Sequence, residues 1–218
     1  MVAKRWDAVI FDYGRVLSHS PTPAEVREFA GLVGVSEPPF FQLYSDTRDE
    51  YDCGRHDCYQ HWQRFADAAG ISFSAGQVER ILKFETGMWL RVNPQALELA
   101  REIRSQGVRT AILSNMPPDL LRDMRRSFAW LGEFEVQIWS CEHGIIKPDP
   151  SIYKLCVEAL GCPPQRALFF DDRPHNGEGA RAAGMEAHVC ESPEQAREIV
   201  RAGLNSRQPR TDAPFRSR

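Results

Sequence analysis

Lysine is scarce in this sequence. The 218-residue chain carries 27 basic residues, and only four of them are Lys: Lys4, Lys83, Lys147 and Lys154. Where it needs an ordinary surface positive charge it generally uses Arg. A basic excess is also missing, since the formal net charge is −3, and that argues against a nucleic-acid partner. No apolar run approaches the ~20 residues that a membrane span needs. The first residues, Met1 to Asp7, are expected to enter the fold at once, so no signal peptide is visible. The six cysteines, Cys53, Cys58, Cys141, Cys156, Cys162 and Cys190, contain no Cys-x-x-Cys pair, and no His pair stands at zinc-finger spacing. Free thiols in a reducing cytoplasm are the expectation.

What is present is ordinary globular material. Apolar residues make up 42% and charged residues 26%, which excludes collagen-like and coiled-coil chains. A chain of this length buries roughly 70% of its unfolded surface without staples.

The chain begins with a short apolar run, Asp7 to Asp12, that reads as a buried strand. From about Pro23 to Arg91 the pattern is helical. Val26, Phe29, Ala30 and Val33 share one face, and Cys58, Trp62, Phe65, Ala66 and Ala69 repeat the spacing behind a cap at Asp57. Phe40 to Tyr51 and a segment around Val78 to Glu85 read as further helices. After Asn93, helix and strand alternate. Strands are expected at Val108–Leu113, Phe134–Ser140, Arg166–Asp171 and Glu186–Cys190, and helices at Pro94–Ser105, Pro118–Arg126, behind Asp149-Pro150, up to Gly184, and from Pro193 to Ala202.

That alternation predicts an α/β fold: a Rossmann-like parallel sheet with helices on both faces and an inserted α-helical cap. The expected division is a core of residues 1–17 and 92–204, a cap of residues 18–91, and a disordered tail of residues 205–218 rich in Arg and Pro.

In such sheets ligands bind beyond the carboxyl ends of the strands. Four of those ends carry an unusual set: Asp12-Tyr13-Gly14-Arg15, Ser114-Asn115, Lys147-Pro148-Asp149-Pro150 and Asp171-Asp172-Arg173-Pro174-His175-Asn176. Each piece alone reads as a turn, a cap or a surface charge. Together they bring three carboxylates, a hydroxyl and an ammonium towards one crevice. Carboxylates so close repel one another, and a hard cation such as Mg²⁺ is their natural partner. A cation beside a Lys then suits a phosphate group.

The order Asp12, Ser114, Lys147, Asp171-Asp172 resembles the four motifs of the haloacid dehalogenase superfamily. Lys147-Pro148-Asp149-Pro150-Ser151-Ile152-Tyr153 and Phe169-Phe170-Asp171-Asp172 are the most specific pieces, and the resemblance covers nearly all of residues 7–203. The helical insertion resembles the small cap of subclass I. Phe11 to Leu17 and Tyr51 to Asp57 are similar to the branch holding sugar-phosphate phosphatases and the epoxide hydrolase N-terminal domain.

The resemblance implies a role for each position. Asp12 would be the nucleophile, forming an aspartyl-phosphate. Ser114 and the Asn115 amide would hold phosphoryl oxygens, with Arg15 as a further substrate contact. Lys147 would neutralise charge. Mg²⁺ would be held by Asp12, the Gly14 carbonyl and Asp172, with Asp171 binding directly or through water. The implied activity is a Mg²⁺-dependent phosphatase acting on a small phosphorylated metabolite, a sugar phosphate among the candidates.

One position departs from the pattern. Family phosphatases carry a general acid two residues after the nucleophile, and here that position is Gly14. Two alternatives therefore stay open: a metal-independent 2-haloacid dehalogenase, and a ligand-binding module without turnover. His175 is a candidate to line the site. Tyr44, Phe84 and Trp89 are candidates for the cap's substrate face, whereas His19, His56, His61 and His143 read as scattered. The oligomeric state is not legible.

Overall fold

The structure, a computed structural model, describes residues 4–205. A buried first strand, β1 (Ala8–Phe11), leads through a turn at Tyr13–Leu17 into five helices: α1 (Pro23–Val33), α2 (Glu37–Asp46), α3 (Asp49–Asp52), α4 (Cys58–Ala69) and α5 (Ala75–Trp89). The chain continues as α6 (Pro94–Ser105), β2 (Arg109–Ser114), α7 (Pro118–Ser127), β3 (Val136–Trp139) and α8 (Ser140–His143). It then runs through α9 (Pro150–Leu160), β4 (Ala167–Asp171), α10 (Pro174–Ala182), β5 (Glu186–Val189) and α11 (Pro193–Asn205).

The five strands form one parallel sheet in the order β3-β2-β1-β4-β5. β1 lies at its centre, with Ile10 beside Ala111 on one side and Phe169 on the other. Alternate residues of each strand point to opposite faces, and both faces are apolar. Val9, Phe11, Ile112 and Phe170 pack with Leu99, Ile103 and Val200 of α6 and α11. Ala8, Ile10, Leu113 and Phe169 pack with Ile152, Cys156 and Ala180 of α9 and α10. This is the α/β sheet that the sequence predicts, and each expected strand is found within two residues of its expected limits. Among the described residues, no helix is long and apolar enough to cross a membrane.

The five helices between β1 and β2 bury a third cluster of their own, built on Phe29, Phe40, Trp62, Phe65 and Ile81. Thr22 with Glu25 and Asp57 with Gln60 form reciprocal capping boxes that start α1 and α4. The helix expected over Phe40 to Tyr51 is instead two. Thr47 Oγ1 donates to Leu43 O at 2.8 Å, closing α2 with a side-chain bond, and α3 restarts at Asp49. The short α8 is not foreseen from the sequence. At the far end, Asn205 closes α11 instead of opening a tail, and residues 206–218 of that expected tail lie outside the described residues.

Two kinds of attachment join the insertion to the sheet. The linkers on either side of it pair as an antiparallel bridge, Ser18 with Val92. His19 N donates to Arg91 O at 2.7 Å, and Asn93 N donates to Leu17 O at 2.8 Å. Elsewhere α3 docks against α8. Buried Ser140 donates through Oγ to Asp52 O and accepts from Met116 N at 2.8 Å. Gly54 follows at φ +76°, and a Cβ there would stand 2.6 Å from Cys141 O, so the contact admits no side chain.

Candidate active site

The carboxyl ends of β1, β2 and β4, with the loop after α8, open into one cavity of about 420 Å³ beneath the helical insertion. Asp12, Gly14, Arg15, Ser114, Asn115, Lys147, Asp172 and His175 line its core side. Its opposite wall includes Phe40, Phe41, Tyr44, Met88 and Trp89. Tyr44 and Trp89 thus stand where the sequence suggests. Phe84 does not: it stacks on Phe29 at 5.5 Å within the insertion's own cluster.

Asp12 extends the sheet by one bond, its N donating to Phe170 O at 2.8 Å, and its side chain is buried. The next residues turn sharply. Gly14 has an ordinary φ of −62°, but Arg15 sits in the left-handed region at φ +58°. That conformation costs a non-glycine residue ~1–2 kcal/mol, and strain of this kind collects at functional sites. Arg15 N donates to Ser18 Oγ at 3.1 Å, which holds the turn. The Arg15 guanidinium lies 3.6 Å from Asp172 and is half-exposed. Tyr13 points away to donate to Trp89 O at 2.7 Å.

Lys147 is 2% exposed and anchors the centre. Its Nζ lies 2.9 Å from Asp12 Oδ1, and it donates to Asp171 Oδ2 at 2.6 Å and to Leu113 O at 3.0 Å. Burial pulls the ammonium down, but Asp12 and Asp171 outweigh it and hold the group above the ordinary lysine value. One of the chain's four lysines is therefore a buried, fixed charge. Ser114, at the end of β2, is buried at the cavity wall.

The two adjacent aspartates differ. Asp171 is fully buried, and both its oxygens are taken. Oδ1 accepts from Arg173 N at 2.8 Å and Asn176 Nδ2 at 2.9 Å, and Oδ2 accepts from Lys147. Asp172 faces the cavity. Asn176 is a residue to which the sequence assigns no part, and Tyr153 braces it by donating to its carbonyl at 2.8 Å.

Oxygen atoms of Asp12, Asp171 and Asp172 all lie within 4.8 Å of one another. Burial, reinforced by Asp171 and Asp172 and opposed by Lys147, pushes Asp12 up to about 6. Burial and Asp171 likewise raise Asp172. Three crowded carboxylates face one buried ammonium and one half-exposed guanidinium. An all-oxygen, charge-deficient set of this kind fits a hard divalent cation.

Comparison with known proteins points the same way. A family model described as haloacid dehalogenase-like hydrolase matches residues 7–184. Phosphatase MT3486 of Mycobacterium tuberculosis is 35% identical over 116 residues, covering 52% of each protein. The chain spans between 10% and 52% of the length of the first curated relatives it matches. Among solved structures, an enzyme of the same family from Bacteroides thetaiotaomicron, BT-2542, superposes with a TM-score of 0.72 at 19% identity, covering 90% of this chain and 98% of that one. That enzyme has also been solved with magnesium and inorganic phosphate. The L-2-haloacid dehalogenase of Xanthobacter autotrophicus superposes with a TM-score of 0.65 at 19% identity, covering 96% and 92%. At these identities the structural likeness speaks for the fold alone.

Proposed function

The chain belongs to the haloacid dehalogenase-like hydrolases, and we propose that within this family of enzymes it is a Mg²⁺-dependent phosphatase of a small phosphomonoester. The observation that carries the reading is the convergence of Asp12 and Asp172 on one cavity beside buried Lys147. A dehalogenase has no need of carboxylates arranged for a cation.

In this reading Asp12, the Gly14 carbonyl and Asp172 hold the ion. Bound there, Mg²⁺ supplies charge neutralisation at the phosphoryl group. Asp171 instead fixes Lys147, because its own oxygens are already occupied. Lys147 screens the approach of an anionic nucleophile to an anionic substrate. Ser114 and the Asn115 amide hold phosphoryl oxygens, and Arg15 reaches the same group from the rim. An Asp12 carboxylate oxygen attacks phosphorus, the bond from phosphorus to the leaving oxygen breaks, and that oxygen takes up a proton from solvent. Water then hydrolyses the aspartyl-phosphate, releasing phosphate and restoring Asp12.

The paired linkers at Ser18 and Val92 support reading residues 18–91 as the cap over a core of residues 1–17 and 92–204. The six cysteines are all unpaired, which supports a cytoplasmic location.

The second reading, a 2-haloacid dehalogenase, draws on Gly14, since a halide leaves without needing a proton. Release of phosphate from p-nitrophenyl phosphate, with and without Mg²⁺, decides between them. Metal-dependent release is expected. Chloride release from 2-chloropropionate, unaffected by chelation, would reverse the assignment.

A further inference from the structure

We infer that the alcohol released at this site is apolar: the substrate is the phosphomonoester of an alkyl or aryl alcohol rather than of a sugar. The inference rests on the phosphatase reading for its phosphoryl end and on the cavity wall for the rest.

Beyond the phosphoryl end the cavity continues into a wall of Phe40, Phe41, Tyr44, Met88, Trp89 and Leu120. A sugar needs hydroxyl partners there. The insertion sends four polar residues to this wall, Tyr44, Ser45, Arg48 and Asp52, and all but Ser45 are engaged in one network. Arg48 is ion-paired with Asp52 at 2.7 Å and with Glu85, and it donates to Tyr44 Oη at 2.8 Å. The Tyr44 hydroxyl donates in turn to Glu85. Recruiting any of these groups to a sugar hydroxyl would break a buried charge-assisted bond and leave its partner unsatisfied.

The cluster also carries one more negative than positive formal charge: Asp52 and Glu85 against Arg48. Its one cation, Arg48, is thus already paired and offers no spare positive charge to a second phosphate or a carboxylate on the leaving group. Apolar wall and engaged polar groups together select an apolar body on the phosphate.

Burial of one methylene is worth ~0.8 kcal/mol, or about fourfold in an equilibrium constant. Primary alkyl phosphates beyond the shortest have nearly equal leaving-group basicity, so a chain-length series isolates this wall from the chemistry. The test compares kcat/KM for ethyl, butyl and hexyl phosphate with glucose 6-phosphate, with Mg²⁺ present. From ethyl to hexyl a rise on the order of 10²-fold is expected, with glucose 6-phosphate no better than ethyl phosphate. A flat series, or preference for the sugar phosphate, overturns the inference and leaves the phosphatase reading standing.

Phe41 is 44% exposed, so Phe41→Ser should fold, and it should lower the hexyl-to-ethyl ratio. An unchanged ratio removes the chain from this wall and counts against the assignment. If no phosphomonoester releases phosphate, the phosphatase reading fails by itself. Calorimetric titration with ethyl- and hexylphosphonate then still decides the apolar site. Tighter binding of the longer chain supports it, and equal binding refutes it.

Discussion

Asn115 and Lys147 clasp each other across 32 residues of chain. The Asn115 carboxamide donates through Nδ2 to Lys147 O at 3.0 Å and accepts through Oδ1 from Lys147 N at 2.8 Å. The end of β2 is thereby tied to the loop that carries the buried ammonium, whose stem starts from a fixed point. Asn115→Ala should lower stability by ~1–2 kcal/mol, the worth of two such bonds. It should also depress kcat more than it raises KM. Chemical denaturation with steady-state kinetics checks both, and an unchanged midpoint would refute the clasp as a source of stability.

Asp12→Asn should reduce turnover on the order of 10⁴-fold or more, as loss of a nucleophile does, while the fold survives. It should also raise the melting temperature of the metal-free protein at pH 7. Asp12 sits at about 6 when folded, above the ordinary aspartate value of 3.8, so keeping it ionised opposes folding at neutral pH. That penalty shrinks as pH falls through 6, and the gap between variant and wild type should close by about pH 4. A wild-type rate in the variant would eliminate Asp12 as nucleophile.

Exhaustive EDTA treatment should abolish phosphate release, and Mg²⁺ should restore it. Binding to the folded state alone adds about 2.7 kcal/mol at a hundred times Kd, so Mg²⁺ should raise the melting temperature of the wild type. Asp172→Asn should lose most of that rise. Asp171→Asn should differ, destabilising the protein even without metal because Lys147 and Asn176 lose a partner. Full activity after chelation would favour the dehalogenase reading.

Position 14 has room for a side chain to begin. A Cβ on Gly14 would stand 3.7 Å from Trp89 Cζ3 and 3.9 Å from Asp12 Oδ2, and the backbone there is unstrained. A positioned general acid contributes ~10²–10⁴-fold. Gly14→Asp should therefore speed release of alkyl alcohols selectively, with little gain for p-nitrophenol, which leaves readily without a proton. If wild-type rates show no dependence on leaving-group pKa, another group already supplies that proton.

His61 should make the protein acid-labile. It is buried against Tyr51, with ring centroids 4.6 Å apart, and its Nδ1 faces Thr47 O at 3.2 Å. Burial and then the nearby Arg48 push it down to about 3. The unfolded chain takes up that proton near pH 6.5 and the folded one does not. Stability is therefore lost as pH falls from 6.5 towards 3, by ~2 kcal/mol at pH 5. His61→Phe should flatten that part of the stability profile; an unaltered slope between pH 7 and 5 would exclude His61 as its origin.

The strand ends were legible because a parallel strand, apolar on both faces, stops abruptly where its residues turn polar. Asp12, Ser114 and Asp171-Asp172 each mark such a stop. The division of labour within the aspartate pair was not legible. It depends on Asn176, five residues on in α10, whose amide occupies Asp171 and leaves Asp172 to the cavity. Nor was the Arg48–Glu85 pair, whose members stand 37 positions apart, one between α2 and α3 and the other in α5. Hydrophobic periodicity reports which face of a helix is covered and says nothing of what covers it. The break between α2 and α3 escaped for a related reason: one threonine hydroxyl turning back on Leu43 leaves the apolar spacing intact.

Ser18 and Val92 run side by side where the chain leaves and re-enters the sheet. Two separate tethers would let the helical insertion slide and twist over the strands. Here they are laced together by backbone hydrogen bonds, so the two tethers meet the sheet as one ribbon. The α3–α8 contact lies at the β3 edge, two strands and so about 10 Å from β1. Ser140 and Gly54 thus hold the insertion to the sheet at a second point, away from the linkers.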